Sequence, residues 1–294
     1  MTQSTTEMVS NQADQPTLDP SQMPRIEIGP TNGWSSLGLR DLWEYRELLL
    51  FLVAREIQGA YRQTALGVSW LFLRPILHMA LLSVVFGRLV GVPSDDLPYP
   101  LFSLSALLPW GFFSNAVIRS SRSLVQNMQM ISKVYFPRLV IPLAGAASGL
   151  VDLAASSIVF LIAMLIYRLP FRIEMLWLPV FVILALGFAL MVGLWLATLS
   201  VQFRDVEFAV NFLLQALMYI SPVIYSASIV PAQLQFIYEL NPMTAVIQGF
   251  RWSIFGVGTP PGLTLVYATV IVLCGVLSGA YVFRRTERTV VDIL

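Results

Sequence analysis

The 294-residue chain holds one cysteine, Cys274, one histidine, His78, and one lysine, Lys133. A lone cysteine inside an apolar run excludes an internal disulfide framework and any cysteine-based metal cluster. A lone histidine leaves little for a metal site or for a Ser/His or Cys/His catalytic pair. A phosphate loop needs a glycine-rich turn ending Gly-Lys-Ser or Gly-Lys-Thr, and the only lysine follows Ser132, so this chain does not hydrolyse nucleotide itself. Charge is scarce too: 12% of residues against about 25% in a soluble domain. The 18 Lys plus Arg nearly cancel the 17 Asp plus Glu, which leaves no field to attract nucleic acid. What is abundant is apolar: 56% of residues are hydrophobic and the mean hydropathy is +0.72, the composition of a membrane protein.

Crossing the ~30 Å hydrocarbon layer takes about 20 apolar residues. Six segments qualify, at roughly 70–92, 99–118, 139–167, 175–201, 208–230 and 262–283, so an all-α integral membrane fold with six transmembrane helices is expected. Between the fifth and sixth, residues 231–261 are apolar but broken by Pro231, Pro242, Gly256, Gly258, Pro260 and Pro261. They read as short re-entrant or surface helices, because irregular backbone at membrane depth survives only inside protein or along a cavity.

An even number of spans puts both termini on one side, and arginines choose the side. Arg40, Arg46, Arg55, Arg62 and Arg74, then Arg119, Arg122, Lys133 and Arg138, then Arg204, then Arg284, Arg285 and Arg288 fall on one side; only Arg88, Arg168, Arg172 and Arg251 fall on the other. Both termini are therefore expected in the cytoplasm. Residues 1–37 are polar, lack the apolar core of a signal peptide, and read as a disordered cytoplasmic tail. Residues 40–63 mix an apolar face with many charges, which suits an amphipathic helix at the cytoplasmic interface and not a seventh span.

Few residues offer chemistry. Asp152 is the one acid deep in a span, and an intramembrane carboxylate is a functional hypothesis by default; the alternative is a protonated or serine-bonded acid that fixes helix packing, favoured by the lack of a second carboxylate. His78, four residues from Arg74, reads as a hydrogen-bonding packing group. Gly145 with Gly149 and Gly275 with Gly279 have the small-residue spacing of close helix contacts. Trp110, Phe113, Tyr219, Tyr225 and Trp252 gather toward the middle and outer half; they suit interfacial belts, and they equally suit a path for sugar chains, whose C–H faces pack on aromatic rings. Adjacent Asp95 and Asp96 read as a solvated turn.

The order of short motifs is more specific than any one of them. Arg55, Tyr61-Arg62-Gln63-Thr64, Leu66-Gly67, Trp70 and Pro75 are followed by Asn127, Ile131, Ser132-Lys133-Val134-Tyr135-Phe136-Pro137-Arg138 and Pro142. Arg204-Asp205, Ser221-Pro222-Val223-Ile224-Tyr225 and Asn241-Pro242 come later. Over roughly residues 38–290 this series resembles the ABC-2 type permeases that export polysaccharides: O-antigen, capsule and teichoic acid.

The resemblance implies a homodimeric permease subunit of the bacterial inner membrane, joined to two copies of a separate ATPase that carries the ATP and magnesium; this chain itself would hold no cofactor. It implies a glycan substrate on an undecaprenyl diphosphate lipid, as in lipopolysaccharide biosynthesis. Asn127, Ile131, Lys133, Tyr135 and Phe136 would form a coupling helix seated on the ATPase, with Arg204 and Asp205 as a second contact, and residues 231–261 would be gate helices at the outer mouth. Arg55, Arg62, Arg74, Arg119 and Arg122 lie at a depth where guanidinium groups could meet a lipid diphosphate, although anchoring to anionic headgroups explains them as well. Two readings from other classes are a membrane enzyme acting on polyprenol-linked sugars, with Asp95, Asp96, Glu174 and Glu239 as its outward acids, and an ion-coupled transporter using Asp152.

Overall fold

The computed structural model describes residues 43–62, 64–134, 136–258 and 260–292. The expected tail at 1–37, the first residues of the interface helix and Tyr135 lie outside them. Among the described residues there is no strand, and ten α-helices follow one another: α1 (Arg46–Tyr61), α2 (Trp70–Leu82), α3 (Tyr99–Gln126), α4 (Met128–Ile131), α5 (Val140–Ile166), α6 (Leu178–Gln202), α7 (Val206–Ile220), α8 (Ala232–Glu239), α9 (Pro242–Phe255) and α10 (Leu263–Asp292). An all-helical answer follows from the composition, since a helix satisfies its own backbone where no water can.

Five stretches are long and apolar enough to cross a membrane: Gly67–Val90, Tyr99–Gln126, Val140–Ile166, Ile173–Gln202 and Leu263–Thr286. They correspond to the first four and the sixth of the expected spans. The first is composite, a 3-10 turn (Gly67–Ser69), α2 and a π-helical stretch (Ser83–Val90), closed by Gly91 in the left-handed region at φ 71°. The fifth expected span, 208–230, differs. Its helix α7 stops at Ile220 because Pro222 forces Ser221 into extended backbone, φ −89° and ψ 156°. Fifteen residues rise only about 22 Å, short of the ~30 Å hydrocarbon layer, so α7 is a shorter apolar helix than the expected span.

α3 is the centre. Of its apolar window 78% is buried, against 11% for the stretch containing α2. α5 and α6 flank α3, α10 backs α6, and α9 packs on α6 and α3. Since lipid is as apolar as leucine, close packing and polar links between helices hold such a bundle together. The glycine pairs act as their spacing predicts. A Cβ at Gly145 would meet the Arg119 backbone carbon at 3.0 Å, and one at Gly149 the Phe112 ring at 3.2 Å, so α5 and α3 touch nearly backbone to backbone. Gly275 sits against Met191 and Gly279 against Trp195 in the same way.

Within the expected interface helix, α1 buries only Leu52 and Tyr61. Leu52 and Arg55 line a small cleft with Ile141, Ala144 and Gly145 of α5, whereas Ile57 packs beside Val151 and Tyr61 reaches Asp152. The contacts advance together along both helices, so α1 is strapped lengthwise to the first half of α5.

Candidate functional site

A polar cluster inside the bundle is built on two i, i+4 pairs. Asn115 and Arg119 share one face of α3, and Ser148 and Asp152 share the facing side of α5, brought close by Gly145 and Gly149. The buried Asp152 carboxylate meets the Arg119 guanidinium at 2.8 Å and accepts from the Asn115 amide at 3.2 Å through the same oxygen, Oδ2. Its other oxygen accepts from the Tyr61 hydroxyl at 2.8 Å. Arg119 also donates to Ser148 Oγ at 3.0 Å, and the Ser148 hydroxyl donates in turn to the Gly145 carbonyl at 2.8 Å. Arginine, asparagine and tyrosine, not serine, satisfy Asp152, and a buried pair of this kind is tolerated only because the remaining lone pairs are bonded too. Burial first, then the Asp152 carboxylate, push the Tyr61 phenol up to about 12. Sequence reasoning sought a second carboxylate and passed over Tyr61 and Asn115; the matching four-residue spacings 115/119 and 148/152 were the available signal.

Two of the arginines considered for a lipid diphosphate are engaged by carboxylates of the chain itself. Arg119 faces Asp152, and Arg122 pairs with Glu207 of α7 at 3.1 Å. Arg62 and Arg74 are exposed. Arg55 bonds Asn127 Oδ1 and approaches the Met130 sulfur at 3.8 Å.

Around Asn127 the chain turns sharply. Its φ of −106° and ψ of 15° end α3 and start α4, its amide donates to the Ser123 carbonyl at 2.7 Å, and its own carbonyl accepts from Met130 and Ile131. Ile131 and Phe136 are buried with Leu52, Leu124 and Leu139, whereas Ser132, Lys133 and Val134 are exposed. The result is a short rigid knuckle with one basic tip. Arg204 and Asp205 are exposed at the turn into α7, on the same end of the bundle.

At the opposite end, segment 221–228 is a hub. Asn241, which caps α9 by accepting from Met243 N at 3.0 Å, donates to Ser221 Oγ at 2.9 Å, joining the two proline motifs of the sequence. Tyr99 donates to the Ile224 carbonyl at 2.7 Å. Asp95 and Asp96 do form a turn, in left-handed backbone at φ 52° and 59°, and Asp96 is exposed; Asp95 is half-buried, and its carboxylate accepts from the Ser226 and Ser228 hydroxyls at 2.7 and 3.3 Å. Buried Arg251 lies 3.6 Å over the Phe102 ring, and desolvation lowers its affinity for a proton to about 10. The five aromatic positions divide. Trp110 and Phe113 are buried, with Phe113 stacked on Phe188 at 4.8 Å. Tyr225 and Trp252 are half-buried and Tyr219 is exposed. Among the described residues no group of three or more His, Cys, Asp or Glu could hold a metal ion.

Compared with known proteins, the chain is 30% identical over 254 residues to the O-antigen export system permease protein RfbA of Myxococcus xanthus, covering 85% of this chain and 96% of the relative. It is 25% identical to the protein of the same name from Klebsiella pneumoniae, over 84% of this chain and 95% of that one. The polysialic acid transport protein KpsM of Escherichia coli is 24% identical over 80% and 92% of the two chains. The sequence profile of the ABC-2 type transporter matches residues 47–255, which include all but the first residue of α1, the Asn127 knuckle, the Asp152 cluster and the proline hub. With the family's profile covering most of the chain and a relative at this identity along nearly its whole length, the protein belongs to the ABC-2 type transporters.

Proposed function

We propose that the chain is the membrane-spanning subunit of an ABC exporter that moves a lipid-linked polysaccharide, such as an O-antigen on undecaprenyl diphosphate, outward across the bacterial inner membrane. ATP is hydrolysed on a separate subunit, and two copies of each make the complex. The observation that carries this reading is the Asn127 knuckle: a short α4, anchored by buried Ile131 and Phe136 and bonded to α1 through Arg55, offers exposed Lys133 at the basic end of the bundle. Force from a partner reaches the spans only through stiff contacts, and this one is stiff. RfbA relatives along nearly the whole chain support the O-antigen substrate. The similarity to KpsM favours a capsular polysaccharide as the second reading.

In this assembly both termini are cytoplasmic, α1 and α4 with Arg204-Asp205 face the ATPase, and α8 and α9 stand at the outer mouth. Arg55, Arg62 and Arg74 meet the diphosphate, because guanidinium forks match phosphate oxygens. The glycan passes between two copies, against exposed or half-buried Tyr219, Tyr225 and Trp252. Affinity purification of the tagged chain from its native membranes tests this. A second chain with a phosphate loop should come down in equal amount; a chain that arrives alone and still delivers glycan would sink the reading.

A further inference from the structure

We propose that the hydrogen bond from the Tyr61 hydroxyl to Asp152 is the joint that passes movement of α1 to the α3–α5 pair, and that Tyr61 and Asp152 are positioning residues for transport. The inference rests on the reading of the chain as an ATP-driven permease subunit. Of the sixteen residues of α1 only Leu52 and Tyr61 are buried, and side-chain bonds from Arg55 and Tyr61 tie the helix to the bundle. Arg55 holds the α3–α4 turn near the end where a partner sits. Tyr61 reaches a carboxylate twelve residues into α5, about 18 Å from its start.

Beyond Tyr61 the helix is broken, for Arg62 is extended at φ −67° and ψ 139°, so α1 does not continue into α2 as one rod. α2 is itself peripheral. The stiff route therefore leaves α1 sideways through the phenol. On the far side, Asp152 does not move alone, since Arg119 at 2.8 Å, Asn115 at 3.2 Å and the backbone contact at Gly145 lock α5 to α3. A push on Tyr61 thus displaces the two most tightly paired helices of the bundle together. A hydroxyl on a carboxylate suits such a joint better than an apolar contact, being directional and charge-assisted and strengthened by its dry setting.

The test uses cells whose own copy of the chain is replaced by Tyr61→Phe or Asp152→Asn. The host's surface polysaccharide is quantified per complex in the membrane, and ATP hydrolysis by the purified permease–ATPase complex is measured in liposomes of host lipid. Tyr61→Phe keeps the ring and loses only the bond. The complex should be present at wild-type amount and hydrolyse ATP within about twofold of wild type, while polysaccharide delivered per complex falls about three- to tenfold. Asp152→Asn keeps an oxygen for Tyr61 but removes the counterion of Arg119, so it should lower the amount of complex and leave delivery per complex closer to wild type than Tyr61→Phe does. Delivery per complex unchanged in Tyr61→Phe, or falling only with its amount, overturns the joint. Deleting the whole chain separates the two ideas: if surface polysaccharide persists, the permease reading falls and the joint with it; if it vanishes while Tyr61→Phe delivers normally, the joint alone falls.

Discussion

At the scale of single residues, Asp152 shows how a charge survives inside a bundle. Its worth lies less in the net strength of the pair than in what is left when one member goes, because Arg119 would then be a buried, uncompensated cation. Asp152→Ala should lower stability by about 3–5 kcal/mol, whereas the double change Arg119→Met with Asp152→Leu should cost much less. Thermal unfolding in detergent measures both, and equal losses would contradict the argument. Tyr61 gives a pH signature. Its phenol is raised to about 12 from the ordinary 10, so the neutral form is the one the fold prefers. That contribution is fully present below pH 10 and is lost as pH rises toward 12. In a near-ultraviolet titration of folded protein, the difference between wild type and Tyr61→Phe should be a phenol that ionises about two pH units late.

At the scale of elements, the glycine contacts decide how close α3 and α5 can come. Gly145→Val would drive a branched side chain into the Arg119 backbone 3.0 Å away, and neither backbone can yield cheaply. A loss of about 1–3 kcal/mol is expected, with weakening of the Arg119–Asp152 pair, because that pair forms only when the helices touch. Gly111, where an added Cβ meets nothing within 4 Å, is the control: Gly111→Ala should be neutral in the same melting experiment. Four spans were legible from apolar runs alone, as was the sixth, and the breaks in 231–261 announced two short helices. The early end of α7 was also written, in Pro222, but a hydropathy window averages across a proline that stops a helix. The lengthwise packing of α1 on α5 was not legible, since an apolar stripe with charges beside it fits a membrane surface and a neighbouring helix equally well.

At the scale of the molecule, the scarce charges are sorted by end. The basic end carries the Asn127 knuckle with exposed Lys133, and the exposed Arg204-Asp205 turn stands beside it. Reversing the tip with Lys133→Glu should weaken assembly with the ATPase subunit by up to about tenfold at low salt and less at high salt, without altering insertion of the chain. Co-purification yield at two ionic strengths reads this directly, and an unchanged yield would remove Lys133 from the contact. The opposite end is held differently, by the hub at 221–228 with Tyr99, Asp95 and Asn241 bonded to it. One end thus presents an exposed knuckle, and the other is tied together by several side-chain hydrogen bonds.

The sequence by itself determined the apolar surroundings of this protein, its helical class and, through ordered motifs, its family. These are properties of runs and counts, and local composition is enough to dictate them. Which charges face one another was decided only by the tertiary structure. Asp152 stands 33 residues from Arg119 and 91 from Tyr61 along the chain, and they meet because two glycines let α5 lie against α3 while α1 packs along α5. A carboxylate that looks alone in one dimension gains three side-chain partners in three, since residues of two other helices converge on it only after packing has chosen their faces.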